Sequence, residues 1–334
     1  MTTLRLGTRG SQLALFQSGA VANLLRAHAD VSCEIVVIKT SGDRLADAAL
    51  AQIGGKRLFV KEIEEALVAG SIDLAVHSSK DMPVELPPGL AIGAVLPRED
   101  ARDALVLPVG VGRVPLDEGS NGSAVEPLRA LARELGDAPR IGTSSVRRTA
   151  QLARLLPGAR FEPIRGNLDT RLRKLDEGGY DALTLAAAGL KRLGHGGRIS
   201  TLFPPDVCVP APGQGIIAVE IRSGDAAVRR LVGPIGDATA AAALAAERAV
   251  VARLGGGCQM PIGAYAALAD DELAMTAIVV SLDGARAARA KVTGPTSDAE
   301  RVGTRAAERL LADGAADILA EVEQTRAAVE GLQP

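Results

Sequence analysis

LRLGTRGSQLAL, residues 4–15, decides the reading of the fold, because its pattern comes back later in the chain. A short apolar run, LRLG (4–7), leads into Gly-Thr and a small polar turn. Leu13, Ala14, Val21, Leu24 and Leu25 then recur at near-helical spacing within 11–28. PRIGTSSVRRTAQL (139–152) repeats the order: strand, Gly-Thr, polar turn, helix. EIVVIKTSGDR (34–44) is matched by ARFEPIRGNLDTR (159–171), an extended run closing on a glycine-containing turn and an arginine. AGSIDLAVHSSKD (69–81) is matched by GGYDALTLAAAGLKR (178–192), a glycine-led strand feeding a basic loop. These matches, in one order, predict two α/β domains of shared plan. Strand–helix alternation predicts parallel sheets with helices on both faces.

Working outward, EIVVIK (34–39) reads as a buried β-branched strand and IDLAV (72–76) as the next one. A helix over 57–69 carries Phe59, Ile63, Ala66 and Leu67 on one face and stops at Gly70. Residues 107–138, rich in Gly, Pro and Ser, read as a long surface excursion with a helix from about 127 to 135. PPDVCVPAPGQG (204–215) reads as a crossing back to the first domain, where IIAVEI (216–221) adds a strand. A helix at 238–253, strands at 262–268, 273–281 and 288–293, and a helix at 298–312 predict a smaller α+β domain. The expected boundaries are 1–100 with 216–235, then 101–215, then 236–334.

The 334 residues are too many for one ordinary core, in keeping with that division. With 47% hydrophobic and 23% charged residues, packed domains are expected rather than disorder. Aromatics are 2% and Trp is absent, so the cores must be built from Leu, Val, Ile and Ala. A net charge of −2 argues against a nucleic-acid binder held by phosphate contacts. MTTLRLGTRG lacks a basic stretch followed by an apolar one, so no secretory signal is expected. No run of about 18 apolar residues predicts a membrane span. Cys33, Cys208 and Cys258 are an odd, widely spaced set, which fits a reducing cytoplasm. His28, His77 and His195 stand singly, so no protein-ligated metal is expected.

In open sheets of this kind ligands bind beyond the carboxyl ends of the strands. There the first domain places Thr8, Arg9 and Ser11, then Lys39, Thr40, Ser41 and Arg44, then His77, Ser78, Ser79, Lys80 and Asp81. The second places Thr143, Ser144, Ser145, Arg147 and Arg148, then Arg165 and Arg171, then Lys191 and Arg192. Basic strand ends on a slightly acidic protein predict a focused positive cleft. Helix N-termini near Ser11 and Ser145 would add anion-binding donors. The ligand this implies is a small molecule with several carboxylates or phosphates.

Asp81 reads two ways: a surface ion pair with Lys80, or a carboxylate stabilising cationic charge and moving protons. His77 reads as structural, since it ends an apolar strand. GGGCQMPIG (255–263) sets Cys258 among glycines. That thiol is a small buried hydrophobe, a chance loop residue, or a thiolate for covalent attachment or nucleophilic catalysis. A non-catalytic anion binder would explain the basic loops but not Cys258. A thiol-dependent acyltransferase would need His77 or His195 beside it.

The chain closely resembles the porphobilinogen deaminase family, also called the hydroxymethylbilane synthases. The resemblance is carried by GTRGSQLAL (7–15), GGKRLFVKEIE (54–64), DLAVHSSKDMP (73–83), REDARDAL (98–105), IGTSSVRR (141–148), RGNLDTRLRKLD (165–176), AAAGLKRLG (186–194), PAPGQG (210–215), AERAV (246–250) and GGGCQMPIGAY (255–265). It implies two doubly wound α/β domains like those of periplasmic binding proteins, plus a small α+β C-terminal domain. It implies a transferase that joins four porphobilinogen molecules head to tail with loss of ammonia and releases hydroxymethylbilane. The chain would grow on a covalent dipyrromethane cofactor attached through Cys258. By position, the resemblance makes Asp81 catalytic and gives Arg9, Ser11, Arg165, Arg171 and Arg192 to the substrate. It gives Ser78, Lys80, Thr143, Ser145, Arg147 and Arg148 to the cofactor, and Lys56 to a gating loop at about 42–58. A cytoplasmic monomer, functionally coupled to uroporphyrinogen-III synthase, is the matching expectation for partners. Two departures stand out: Arg57 where the family has glycine, and the length of the 107–138 excursion.

Overall fold

In the computed structural model, the residues described are 2–44, 59–111, 130, 133–257 and 259–331. Among them the strands form two five-stranded sheets and one three-stranded sheet. The chain begins with β1 (Thr2–Thr8), α1 (Gln12–His28), β2 (Val31–Val37), α2 (Ser41–Arg44), α3 (Lys61–Val68), β3 (Leu74–Ser78) and β4 (Leu90–Val95). Next come β5 (Asp103–Val106), β6 (Arg140–Gly142), α4 (Val146–Leu155), β7 (Arg160–Glu162), α5 (Leu168–Asp176), β8 (Ala182–Ala186), α6 (Ala187–Arg192) and β9 (Thr201–Leu202). The chain then returns through β10 (Ile217–Arg222) and α7 (Ala226–Val232). It finishes with α8 (Ala238–Leu254), β11 (Ile262–Ala269), β12 (Glu272–Val280), β13 (Ala287–Pro295), α9 (Ala299–Ala312) and α10 (Ala315–Gly331).

The first sheet runs β2-β1-β3-β10-β4 and the second β7-β6-β8-β5-β9. Laid over one another, β1 answers to β6, β2 to β7 and β3 to β8, as the repeated sequence pairs predict. The fourth place in each sheet is taken by the strand arriving from the other lobe, β10 or β5. These are two lobes of periplasmic-binding-protein type joined by two crossovers. The expectation of parallel sheets needs one correction. β1 is parallel to β2 and β3, and β6 to β7 and β8, but β10 and β5 are antiparallel to both neighbours. A strand entering from the far lobe runs the opposite way.

Apolar residues of α1 and the sheet, among them Leu4, Leu6, Val21, Leu25, Val76 and Val219, fill one side of the first lobe. Ile63 and Leu67 of α3 cover the other with Ile72 and Ala75. β2 is an edge strand and half exposed, not the buried strand expected from its β-branched run; Val37 is 53% exposed. Phe59 lies in a turn ahead of α3, so the helical face expected from 57 onward begins at Lys61. The helix expected near 127–135 falls mostly outside the described residues. The third unit packs α8 and α9 on the β11–β12–β13 sheet around Val250, Met275, Val302 and Leu310. Helix α10 was not expected from the sequence. No helix among the described residues is long and apolar enough to cross a membrane.

Candidate active site

The turn after β1 and the turn after β6 are built alike. Ser11 caps α1 by accepting from the Ala14 N–H at 3.3 Å, and Ser145 caps α4 by accepting from the Arg148 N–H at 3.4 Å. Buried Thr143 supports the second turn, its hydroxyl accepting from the Ser145 N–H at 3.3 Å. Ser144 donates to the Ile164 carbonyl at 2.6 Å and accepts from its N–H at 3.1 Å, which fixes the loop leading to Arg165. Ser78, at the end of β3, exchanges hydrogen bonds with the buried Gln17 amide at 2.9 and 3.1 Å.

Charge converges where the two lobes face each other. Lys80 and Asp81 lie on a short 3-10 turn after β3 of the first lobe. Arg147 and Arg148 lie on the first turn of α4, and Arg165 and Arg171 on and after the next loop of the second lobe. Lys80 keeps some accessible surface, yet burial of its ammonium, helped by Arg148 and Arg147, brings its pKa down to about 8 against the pull of Asp81 and Asp103. Burial likewise lowers Arg171 to about 10, with Arg148 and Arg165 adding repulsion and Asp81 opposing it. These mutual effects put Lys80, Asp81, Arg148, Arg165 and Arg171 in one neighbourhood. Among the described residues no hydrogen bond or ion pair holds the half-buried Asp81 carboxylate.

Two functional residues escaped sequence reasoning. Asp103, fully buried at the start of β5, accepts from Arg147 Nη1 at 2.7 Å, Arg148 Nε at 2.9 Å and Gln214 Nε2 at 2.9 Å. Burial alone would raise its carboxyl, but Arg147 and Arg148 hold it well below the usual range. Asp103 thereby sets the orientation of both guanidiniums. A lone carboxylate opening the wholly buried strand DALV was the available signal, since such a charge demands partners. The other is Gln214, which also donates to the Ala101 carbonyl at 2.7 Å and so joins the two crossovers.

Other expected residues are engaged elsewhere. Arg9 donates to Asp43 through Nε at 3.1 Å and Nη2 at 2.5 Å, and its guanidinium lies 4.2 Å from the Phe59 ring centroid. Arg192 donates to the Gly215 carbonyl at 2.7 Å, and Lys191 pairs with Asp100 at 2.8 Å, so the end of α6 grips both crossovers. His77 is buried with Nε2 3.1 Å from Glu220 Oε2, and His195 pairs with Asp169 at 2.9 Å. Cys258, Lys56, Arg57 and most of the 42–58 stretch expected to gate the site lie outside the described residues. On either side of position 258, α8 ends at Leu254 with Gly255 left-handed at φ 68°, and β11 begins at Ile262. Cys208 is buried beside Asp103, and burial first, then Asp103, pushes its thiol up to about 12. The described residues contain no cluster of metal-ligating side chains.

Residues 4–230 match the family described as porphobilinogen deaminase, dipyromethane cofactor binding domain, and residues 241–312 match the porphobilinogen deaminase C-terminal domain. A porphobilinogen deaminase of Moorella thermoacetica is 46% identical over 99% of this chain and 100% of its own length. One from Bordetella parapertussis is 47% identical over 96% of this chain and 97% of its own. An arginine-specific periplasmic binding protein of Salmonella typhimurium, 11% identical, covers 72% of this chain and 94% of its own at a TM-score of 0.38. Matched over 4–230 and 241–312 by the two domain families, and by relatives of 46–47% identity over nearly its whole length, the chain belongs to the porphobilinogen deaminase family.

Proposed function

We propose that this chain is a porphobilinogen deaminase, a transferase that joins four porphobilinogen units head to tail, with loss of ammonia, and releases hydroxymethylbilane. The gathering of Lys80, Arg148, Arg165 and Arg171 around Asp81 carries the reading. Porphobilinogen bears an acetate and a propionate, so the ligand brings the negative charge this neighbourhood lacks.

The residues fit a covalently held dipyrromethane. Arg147, Arg148, Arg165, Arg171 and Lys80 outnumber Asp81 and Asp103, and burial disfavours that surplus of cations unless carboxylates join it. The buried Nε of Arg147 has no hydrogen-bond partner among the described residues, although the rest of its guanidinium is held by Asp103 and the Val209 carbonyl. Ser78, Lys80, Thr143, Ser145, Arg147 and Arg148 would hold the group's acid arms, with Cys258 as its attachment. When bound, dipyrromethane supplies the pyrrole carbon to which the first porphobilinogen is joined.

The protein's own part is positioning and charge. Arg165 and Arg171 bind substrate carboxylates as paired donors, and Arg9, Ser11 and Arg192 complete the binding surface. As ammonia leaves porphobilinogen, positive charge spreads over the pyrrole ring, and the unclaimed Asp81 carboxylate stabilises it in a poorly solvated cleft. The same carboxylate moves protons to and from the reacting groups. Lys56 acts from the gating loop. The domain partition is 1–100 with 216–235, 101–215 and 236–334, and the working unit is a cytoplasmic monomer coupled to uroporphyrinogen-III synthase.

Intact mass is the direct test. The purified chain should exceed its sequence mass by one dipyrrole and colour with a pyrrole-specific dye, and the Cys258→Ala chain should do neither. An unmodified mass from protein that turns over porphobilinogen would sink the assignment.

A further inference from the structure

The basic first turn of α4 and the start of β11 belong to different units, yet one short stretch of crossover touches both. Val209 is fully buried. Its carbonyl accepts from Arg147 Nη1 at 2.7 Å and from Gln151 Nε2 at 3.0 Å, while its N–H donates to Gln151 Oε1 at 2.7 Å. On its other side, the Ala264 N–H donates to the Pro210 carbonyl at 3.0 Å. A Cβ at Gly263 would lie 2.8 Å from the Val209 Cβ, so strand and crossover meet backbone to backbone. Ala150, Val209, Ile278 and Val280 bury a small apolar seam along the same line.

A second contact lies at the far end of α4. The turn 281–286 between β12 and β13 is stiffened by Asp283, which accepts from the Ser281 hydroxyl at 2.5 Å and the Ala285 N–H at 2.9 Å. Its Gly284 and Ala285 carbonyls accept from Arg154 Nη1 at 3.0 and 3.3 Å. Gly284 has φ 74°, and a Cβ there would lie 3.0 Å from the Ala150 carbonyl oxygen. The turn therefore sits against the helix backbone at a distance only glycine permits.

Resting on the porphobilinogen deaminase reading, we propose that Val209–Pro210 and the 281–286 turn form a two-point mount for α4. The mount sets the register between Arg147 and Arg148 and strand β11, whose first residue follows Cys258 by four positions. Gln151 and Arg154 are its positioning residues. Both contacts add to the Leu152 packing and the Asp103 pairing that already seat α4 on its own sheet. Together they tie both ends of α4 to the third unit, and so set where Arg147 and Arg148, oriented by Asp103, stand relative to β11.

The test uses full-length Gln151→Leu and Arg154→Ala, with Arg154→Lys to restore a donor to the turn. For each, intact mass reads the primer-loaded fraction, steady-state kinetics read KM and kcat separately, hydrogen exchange reads the α4 amides, and melting reads stability. Expected in both of the first two variants are faster α4 exchange, a lower primer-loaded fraction and a kcat/KM about tenfold down, with Arg154→Lys returning all three towards wild type. Should Gln151→Leu fail to fold, Arg154→Ala, on an exposed side chain, still decides the matter. A lower melting temperature with unchanged α4 exchange, primer loading and kinetics would overturn the mount. A wild-type chain without dipyrrole would instead refute the functional reading, and α4 exchange would still judge the contact itself.

Discussion

Asp103 shows how one buried carboxylate can organise a cationic site that it does not outnumber. Replacing it with Asn keeps the shape and removes the charge, leaving Arg147 and Arg148 buried without a counter-ion. Asp103→Asn should therefore lose about 3–5 kcal/mol in chemical denaturation, because a broken buried pair strands its partners. Lys80 makes a prediction in pH. Its ammonium titrates at about 8 in the folded chain against 10.5 ordinarily, so the fold disfavours its proton. Below pH 8 that cost is present in full, and it fades as pH rises towards 10.5, where the unfolded chain binds the extra proton. Stability from this residue therefore rises through the window, while attraction for carboxylates falls. Because Lys80 would hold the dipyrromethane's acid arms, loading of the primer onto the apo chain, read by intact mass, should slow above pH 8, and Lys80→Arg should flatten that limb because guanidinium stays charged.

At the scale of elements, Gly255 ends α8 in the left-handed region, its N–H donating to helix carbonyls. Gly255→Ala should cost about 1–2 kcal/mol, seen as a lowered melting temperature, because a Cβ is disfavoured at that φ. Helices α1 and α9 and strands β11 to β13 were legible because burial on one face imposes a period on the chain, and α8 because alanine favours helix throughout its length. β2 was misjudged because β-branched residues mark a strand without saying whether it lies inside the sheet or at its edge. The basic loops were legible as a set, since the fold rule places them at one end of the sheets. Asp103, Gln214 and Glu247 were not, because their partners lie far along the chain, at Arg147, Ala101 and Arg98. Local spacing carries no sign of such pairs.

At the scale of the whole molecule, Arg98 and Glu247 tie the crossovers to the third unit. Arg98 Nη1 lies 2.6 Å from Glu247 Oε1, its Nε donates to the Gln214 carbonyl at 2.9 Å, and its guanidinium lies 4.9 Å from the Tyr265 ring centroid. Glu247, fully buried on α8, also accepts from the Gly213 N–H at 2.7 Å and the Ala266 N–H at 2.8 Å. Arg98→Ala should cost about 3–5 kcal/mol and speed protease cleavage in the 203–216 crossover, since the stranded carboxylate no longer locks that segment. Normal protease resistance would show that the apolar seams alone hold the third unit in place.

The exchange of one strand between the lobes has a consequence for how the protein is made. β10 lies between β3 and β4 in the first sheet, so those two strands have no common neighbour until residues 217–222 have left the ribosome. The second sheet draws all its strands from residues 103–202 and can close earlier. Synthesis from the N-terminus thus completes the later-encoded lobe first. The earlier-encoded one must wait with open strand edges, the surfaces on which nascent chains pair wrongly with one another.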